Sequence, residues 1–133
     1  MLLKQNPLLN LFKRLVGRDA RHRLGAEGER AARIFLEDAG YVFVARNVRT
    51  PFGEIDLVMR DGDCLVIVEV KVLKSASALP AKLQVNRDKQ LRLRKLALSY
   101  YKSSRWKGSV RIDVMGRNGD QPFEHIKGAV PIG

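Results

Sequence analysis

The chain has 133 residues, 45% of them hydrophobic and 29% charged, which fits one domain with enough apolar residues to bury a core. Its 25 Lys and Arg outnumber 14 Asp and Glu, and the net charge of +11 points to polyanionic partners. A single cysteine, Cys64, excludes an internal disulfide, and with His22 and His125 standing apart a zinc site of several Cys or His ligands is excluded too.

The first 22 residues read as a basic arm. Leu8, Leu11, Phe12 and Leu15 recur at helical spacing, so residues 7–17 are expected to form a short amphipathic helix. Pro7, Asn10, Lys13 and Arg14 interrupt it too often for a signal peptide. No run approaches the roughly 20 apolar residues of a membrane span. No membrane partner is therefore expected, and the expected compartment is the cytoplasm.

Residues 23–133 read as one α/β domain. A helix is expected over 26–39, with Ala32, Phe35, Leu36 and Ala39 as its apolar face and Gly40 as its left-handed cap. Glu29 borders that face, either as a site residue or as an i,i+4 ion-pair partner of Arg33. Strands follow over 41–48, 54–60 and 64–73, joined by turns at Thr50-Pro51-Phe52-Gly53 and Asp61-Gly62-Asp63. These short links make the three strands antiparallel neighbours.

A basic helix over 83–102 comes next, with Leu93, Leu96, Ala97, Tyr100 and Tyr101 as core candidates. It leads to a fourth strand over 109–115, parallel to the third because a helix makes the crossover. A short fifth strand is expected over 123–126. The resulting fold class is a mixed β-sheet flanked by helices in the order α-β-β-β-α-β.

The chemistry concentrates on the second and third strands. Residues of one parity share a face, so Glu54, Asp56 and Val58 are expected on one side and Ile55 and Leu57 on the other. On the third strand Glu69 and Lys71 share a face with Leu65 and Ile67, opposite Val66, Val68, Val70 and Val72. The hairpin then sets Asp56 across from Glu69. Two such carboxylates repel unless a cation offsets them, and a hard divalent ion such as Mg2+ takes carboxylate oxygens while also holding phosphate. Lys71 stands two residues on, placed to orient an attacking water. The bland alternative is a cross-strand ion pair between Lys71 and Asp56 or Glu69, worth little at a surface.

Positive charge is clustered around this acidic centre. Lys74, Arg87, Lys89, Arg92 and Lys95 fall between residues 74 and 107, where Asp88 is the single acid. Such a basic rim suits a phosphate backbone, DNA in the first place and RNA in the second. Trp106, between Arg105 and Lys107, is a candidate base-stacking residue or a loop anchor.

The segments Gly25-Ala26-Glu27-Gly28-Glu29-Arg30-Ala31-Ala32, Arg46-Asn47, Gly53-Glu54-Ile55-Asp56 and Val68-Glu69-Val70-Lys71 closely resemble the YraN-like family of bacterial proteins. That family is similar to the restriction-endonuclease-like, or PD-(D/E)XK, nucleases and to archaeal Holliday-junction resolvases. The resemblance covers residues 21–129, including Arg111-Ile112-Asp113-Val114 and His125-Ile126. It implies a metal-dependent DNA endonuclease, selective for branched substrates, using Mg2+ or Mn2+. Asp56 and Glu69 would be metal ligands, Lys71 the catalytic lysine, Glu29 a third acid and Glu54 a supporting one. Lys89 and Gln90 would contact the DNA backbone. The chain departs from the pattern at Leu73, where the family usually carries a basic residue. Cutting a two-fold symmetric junction implies a homodimer. The competing class is a non-catalytic nucleic-acid-binding or adaptor module that keeps the fold.

Overall fold

The computed structural model describes residues 25–73 and 86–132. The amphipathic helix expected over 7–17, the basic residues before position 25, Lys74 and the expected start of the second helix at 83 lie outside these residues.

Helix α1 spans residues 25–38. Gly40, at φ +96°, closes it, and the Tyr41 amide turns back to the Leu36 carbonyl at 3.0 Å. Only glycine adopts that backbone without a Cβ penalty, so the expected cap is the observed one. The apolar face is narrower than expected. Ala32 and Leu36 are fully buried, whereas Phe35 is 40% exposed and Ala39 is exposed. Phe35 meets Phe123 instead, with ring centroids 5.9 Å apart. Arg33 pairs with Glu37 at 3.2 Å, not with Glu29, so of the two readings of Glu29 the intrahelical ion pair is not the one formed.

Strands β1 (Val42–Thr50), β2 (Gly53–Asp61) and β3 (Cys64–Leu73) form the antiparallel meander. Helix α2 (Arg87–Ser104) then crosses to β4 (Ser109–Asn118), which pairs parallel to β3. The last strand, β5 (Glu124–Val130), is antiparallel to β4 and longer than expected. The sheet order is β1-β2-β3-β4-β5. The α/β architecture is thus a five-stranded mixed sheet with a helix against each face, and no helix among the described residues is long and apolar enough to cross a membrane.

Two apolar layers hold it together. On one face Ala32 and Leu36 of α1 pack with Leu57, Met59, Val66, Val68 and Met115. On the other, Leu93, Leu96 and Ala97 of α2 pack with Ile55, Val58, Leu65, Ile67 and Ile112. Alternation on β3 is therefore the expected one, with Leu65 and Ile67 under α2 and Val66 and Val68 under α1.

On β2 the alternation fails, and the failure shapes the site. Ile55 and Val58 lie on the α2 face while Leu57 lies on the α1 face, so Ile55 and Leu57 do not share a side as the simple period-2 rule required. The partner strand switches at the same level, since Ala45 and Val48 both pack on the α2 cluster. Between them Asn47 takes φ +50°. Asn tolerates this left-handed conformation better than other non-glycine residues, and one such residue inside a strand rotates everything beyond it. The β1–β2 hairpin changes face at Asn47 and Asp56.

Candidate active site

The ladder between β2 and β3 ends at Leu57↔Val68. One step further, where β2 has rotated, Asp56 stands opposite Glu69, and its Oδ2 accepts a hydrogen bond from the Val70 amide at 2.8 Å. The carboxylate thus takes the place of a ladder carbonyl, which satisfies an amide that the splayed strands would otherwise strand. Both helices converge on this gap. Gly28 brings α1 against β3 so closely that any Cβ there would overlap Val72 Cγ2, and the next residue, Glu29, lines the same groove as Asp56 and acts on its charge.

From the opposite face comes the first turn of α2. Asn86 caps it, its side-chain oxygen accepting from the Lys89 amide at 2.9 Å, and this fixes Lys89 in the turn nearest β3. Lys89 Nζ then lies 3.0 Å from Glu69 Oε1. Sequence reasoning assigned Lys89 to the DNA backbone; the structure puts it on a carboxylate of the acidic centre. Lys71 is half-buried beside it.

The electrostatics follow from this crowding. Burial, and then the charge of Glu69, push the Asp56 carboxyl up to about 7, although the Val70 amide works against the shift. Burial and the nearby Glu54 raise Glu29 as well. Burial, followed by contact with Lys89, lowers Lys71. Three carboxyls this close, Glu29, Asp56 and Glu69, cannot all ionise without positive charge to offset them.

The donor chemistry fits a hard divalent ion, and Glu29, Asp56 and Glu69 remain the expected ligands, although among the described residues no three such side chains stand together as a ready-made cluster. Mg2+ is ordinarily held by one or two carboxylates with water and substrate phosphate completing its shell. Glu54 stays exposed at the mouth, close enough to act on both Asp56 and Glu29.

Beyond the acids lies an open groove lined by Ala26, Glu29, Asn47, Arg49, Glu54 and Asp56. A neighbouring pocket continues it along α1 past Arg30, Arg33 and Arg46. Arg46 and Arg49 were not singled out as phosphate contacts from sequence; their place on the strand directly beside the G-E-I-D segment was the available signal. Of the expected rim on α2, Arg87, Arg92 and Lys95 are exposed, while Gln90 is partly buried.

A second polar centre joins residues that the sequence offered only as part of the family resemblance, with no role attached. Asp113 on β4 is completely buried and accepts from Arg111 Nε at 2.7 Å, Arg111 Nη2 at 3.0 Å and the Gly128 amide at 3.0 Å. His125 Nε2 lies 2.8 Å from its other oxygen edge, so His125 is not the isolated histidine it looked in sequence. Burial alone would raise the Asp113 carboxyl, but these bonds outweigh it and hold the group below the usual carboxylate range.

The family model described as "Uncharacterised protein family UPF0102" matches residues 28–116, the stretch that carries α1, the meander, α2 and most of β4. A UPF0102 protein of Thermodesulfovibrio yellowstonii is 44% identical over 110 residues, covering 83% of this chain and 97% of the relative. Another, from Desulfosudis oleivorans, is 40% identical over 111 residues, covering 82% and 90%. Among solved structures, Hjc of Archaeoglobus fulgidus, a Holliday junction resolvase, superposes with a TM-score of 0.49 and 18% identity over 77% of this chain and 75% of its own. The YraN-like resemblance of the motifs agrees with the family match. The chain belongs to the uncharacterised protein family UPF0102.

Proposed function

We propose that the protein is a metal-dependent endonuclease that hydrolyses phosphodiester bonds in DNA, with a preference for branched substrates. The observation that carries this reading is the pair of carboxylates at the splayed end of β2 and β3, crowded enough to push Asp56 up to about 7. Lys71 stands beside them in a chain of net charge +11. A structural pair would gain nothing from such crowding, and a domain that only bound DNA would lose affinity through it.

Asp56 and Glu69 would hold a divalent cation, Mg2+ or Mn2+, whose chemistry is to acidify a bound water and polarise the scissile phosphate. Glu29, on the same groove, would complete the acidic set as a third ligand. Lys71, with its lowered proton affinity, is placed to orient the attacking water and to offset charge on the phosphorane-like transition state. Arg46 and Arg49 on β1 and the exposed cations of α2 hold flanking phosphates, so binding should weaken steeply with salt.

The test is cleavage by Lys71→Met. The variant is expected to lose roughly 10²–10³-fold in rate, the size seen when one preorganised transition-state contact is removed, while binding DNA with little change. A variant that cuts at the wild-type rate removes Lys71 from the chemistry.

A further inference from the structure

Of the two readings open for Trp106, base stacker or loop anchor, the fold uses the anchor, since its Nε1 donates to the carbonyls of Asp63 at 3.2 Å and Ser109 at 3.0 Å, and its ring packs on the α2-side core. The most exposed phenylalanine among the described residues is Phe52, 47% exposed at the tip of the β1–β2 hairpin. That tip is firmly built. Thr50 Oγ1 accepts from the Phe52 amide at 3.1 Å and donates to the Gly53 carbonyl at 2.8 Å, and Gly53 sits against Leu96 of α2. A hydrogen-bonded turn thus holds an aromatic ring half in solvent.

The surroundings of the ring are one-sided in charge. Phe52, Lys95, Leu98, Ser99, Lys102 and Ser103 line one shallow groove, and no carboxylate is among them. Lys95 Nζ lies 5.9 Å from the ring centroid, too loose to be the purpose of an exposed ring, because a solvated cation–π contact is worth under about 1 kcal/mol. Leu91 and Leu98 extend the apolar strip along the same helix, 49% and 39% exposed. Residues 91, 95, 98 and 102 alternate Leu and Lys at spacings of four, three and four, one continuous helical stripe. An aromatic platform flanked by ammonium groups matches a ligand that is flat, apolar and anionic along its backbone. Nucleic acid with an unstacked base has that chemistry; a second copy of this chain would bring lysines against lysines.

We propose that the hairpin tip and the outer stripe of α2 form a second nucleic-acid surface, on which Phe52 stacks an unpaired base while Lys95 and Lys102 hold the flanking phosphates. The inference rests on the nuclease reading and narrows its substrate to DNA carrying unpaired bases at a branch or gap. Phe52 is four residues from Asp56 along the hairpin, roughly 13 Å at 3.3 Å per residue. At 3.4 Å per nucleotide that is about four base steps from the cutting centre, close enough for one substrate to engage both.

The test is binding without metal, in EDTA, so that cutting plays no part. A labelled duplex is compared with the same duplex carrying a central single-stranded gap, for wild type, Phe52→Ala and Phe52→Trp. Wild type is expected to favour the gapped form. Phe52→Ala should lose about tenfold on it, the scale of one lost aromatic–base stack, and less than about twofold on intact duplex, where phosphate contacts dominate. Phe52→Trp should restore the preference, its added emission quenched by the gapped DNA. Wild-type affinity for both DNAs in Phe52→Ala overturns this inference and leaves the nuclease reading standing, whereas a wild type that binds neither DNA overturns both. Loss of binding to anionic lipid vesicles, or of self-association, in Phe52→Ala with gapped-DNA binding unchanged also overturns it.

Discussion

Asp56→Asn is expected to stabilise the protein at neutral and alkaline pH while removing its catalytic function. The Asp56 carboxyl is pushed up to about 7 by burial and by Glu69, against an ordinary value near 3.9 in an unfolded chain. The folded state therefore holds this proton more tightly than the unfolded state. Its contribution to stability is complete below about pH 4 and is lost as pH rises through about 7. Asparagine stays neutral throughout and still offers an oxygen to the Val70 amide. Each pKa unit is about 1.4 kcal/mol, and with a discount for solvent around a partly exposed group the gain at pH 8 is on the order of 2 kcal/mol. For a domain of this size that is roughly 8 °C in Tm. At pH 4 the two proteins should melt together. Millimolar Mg2+ should narrow the gap at pH 8, since it favours the ionised wild-type carboxylate. Melting curves across this pH range, with and without Mg2+, check the sign; a Tm difference that does not change with pH would mean that Asp56 carries no such burden.

Arg111→Met should have the opposite effect, and a larger one. Asp113 is wholly buried, and Arg111 supplies two of the hydrogen bonds that keep it charged. The same guanidinium donates to the Tyr41 hydroxyl at 2.8 Å, tying the start of β1 to β4. Met conserves the apolar stem but leaves a buried carboxylate with only His125 and the Gly128 amide. Removing one partner of a buried ion pair costs about 3–5 kcal/mol, which exceeds the loss expected from trimming a methyl from either core layer. Urea unfolding at pH 7 reads this directly. The double variant Arg111→Met, Asp113→Leu should recover much of the loss, because no buried carboxylate is then left unpaired and the partly exposed Asp61 that Arg111 also meets is solvated. Recovery marks the cluster as structural, the fastening of β5 and β1 to the sheet, and separate from the acidic centre.

What was legible in the sequence was whatever local chemistry determines. Gly40 marked the end of α1, Asp61-Gly62-Asp63 marked a hairpin, and a basic helix between two apolar strands required a parallel crossover. The pattern Val66, Val68 against Leu65, Ile67 placed Glu69 and Lys71 on the α2 side of β3. The switch of face on β2 was hidden, because a single left-handed residue inverts the period-2 rule and only Asn47 hinted at it. Long-range pairings were hidden for a different reason. Lys89 meets Glu69 and Asp113 meets His125 because the topology brings distant segments together, and neither pair has a sequence spacing that announces contact. Basic neighbours left Trp106 open between stacker and anchor, and only the carbonyls of Asp63 and Ser109 that its indole nitrogen meets decide for the anchor, while nothing local marked Phe52 as the ring left outside.

Metal-dependent cleavage is read by incubating wild type and Asp56→Asn with labelled four-way junction, flap, duplex and single-stranded DNA, in Mg2+, in Mn2+ and in EDTA. Metal-dependent cutting by the wild type, greatest on a branched substrate and absent in EDTA and in Asp56→Asn, is the expected result. Salt-sensitive DNA binding with no cutting by the wild type under either metal would contradict the account and make the protein a binding module that keeps the acidic centre without using it.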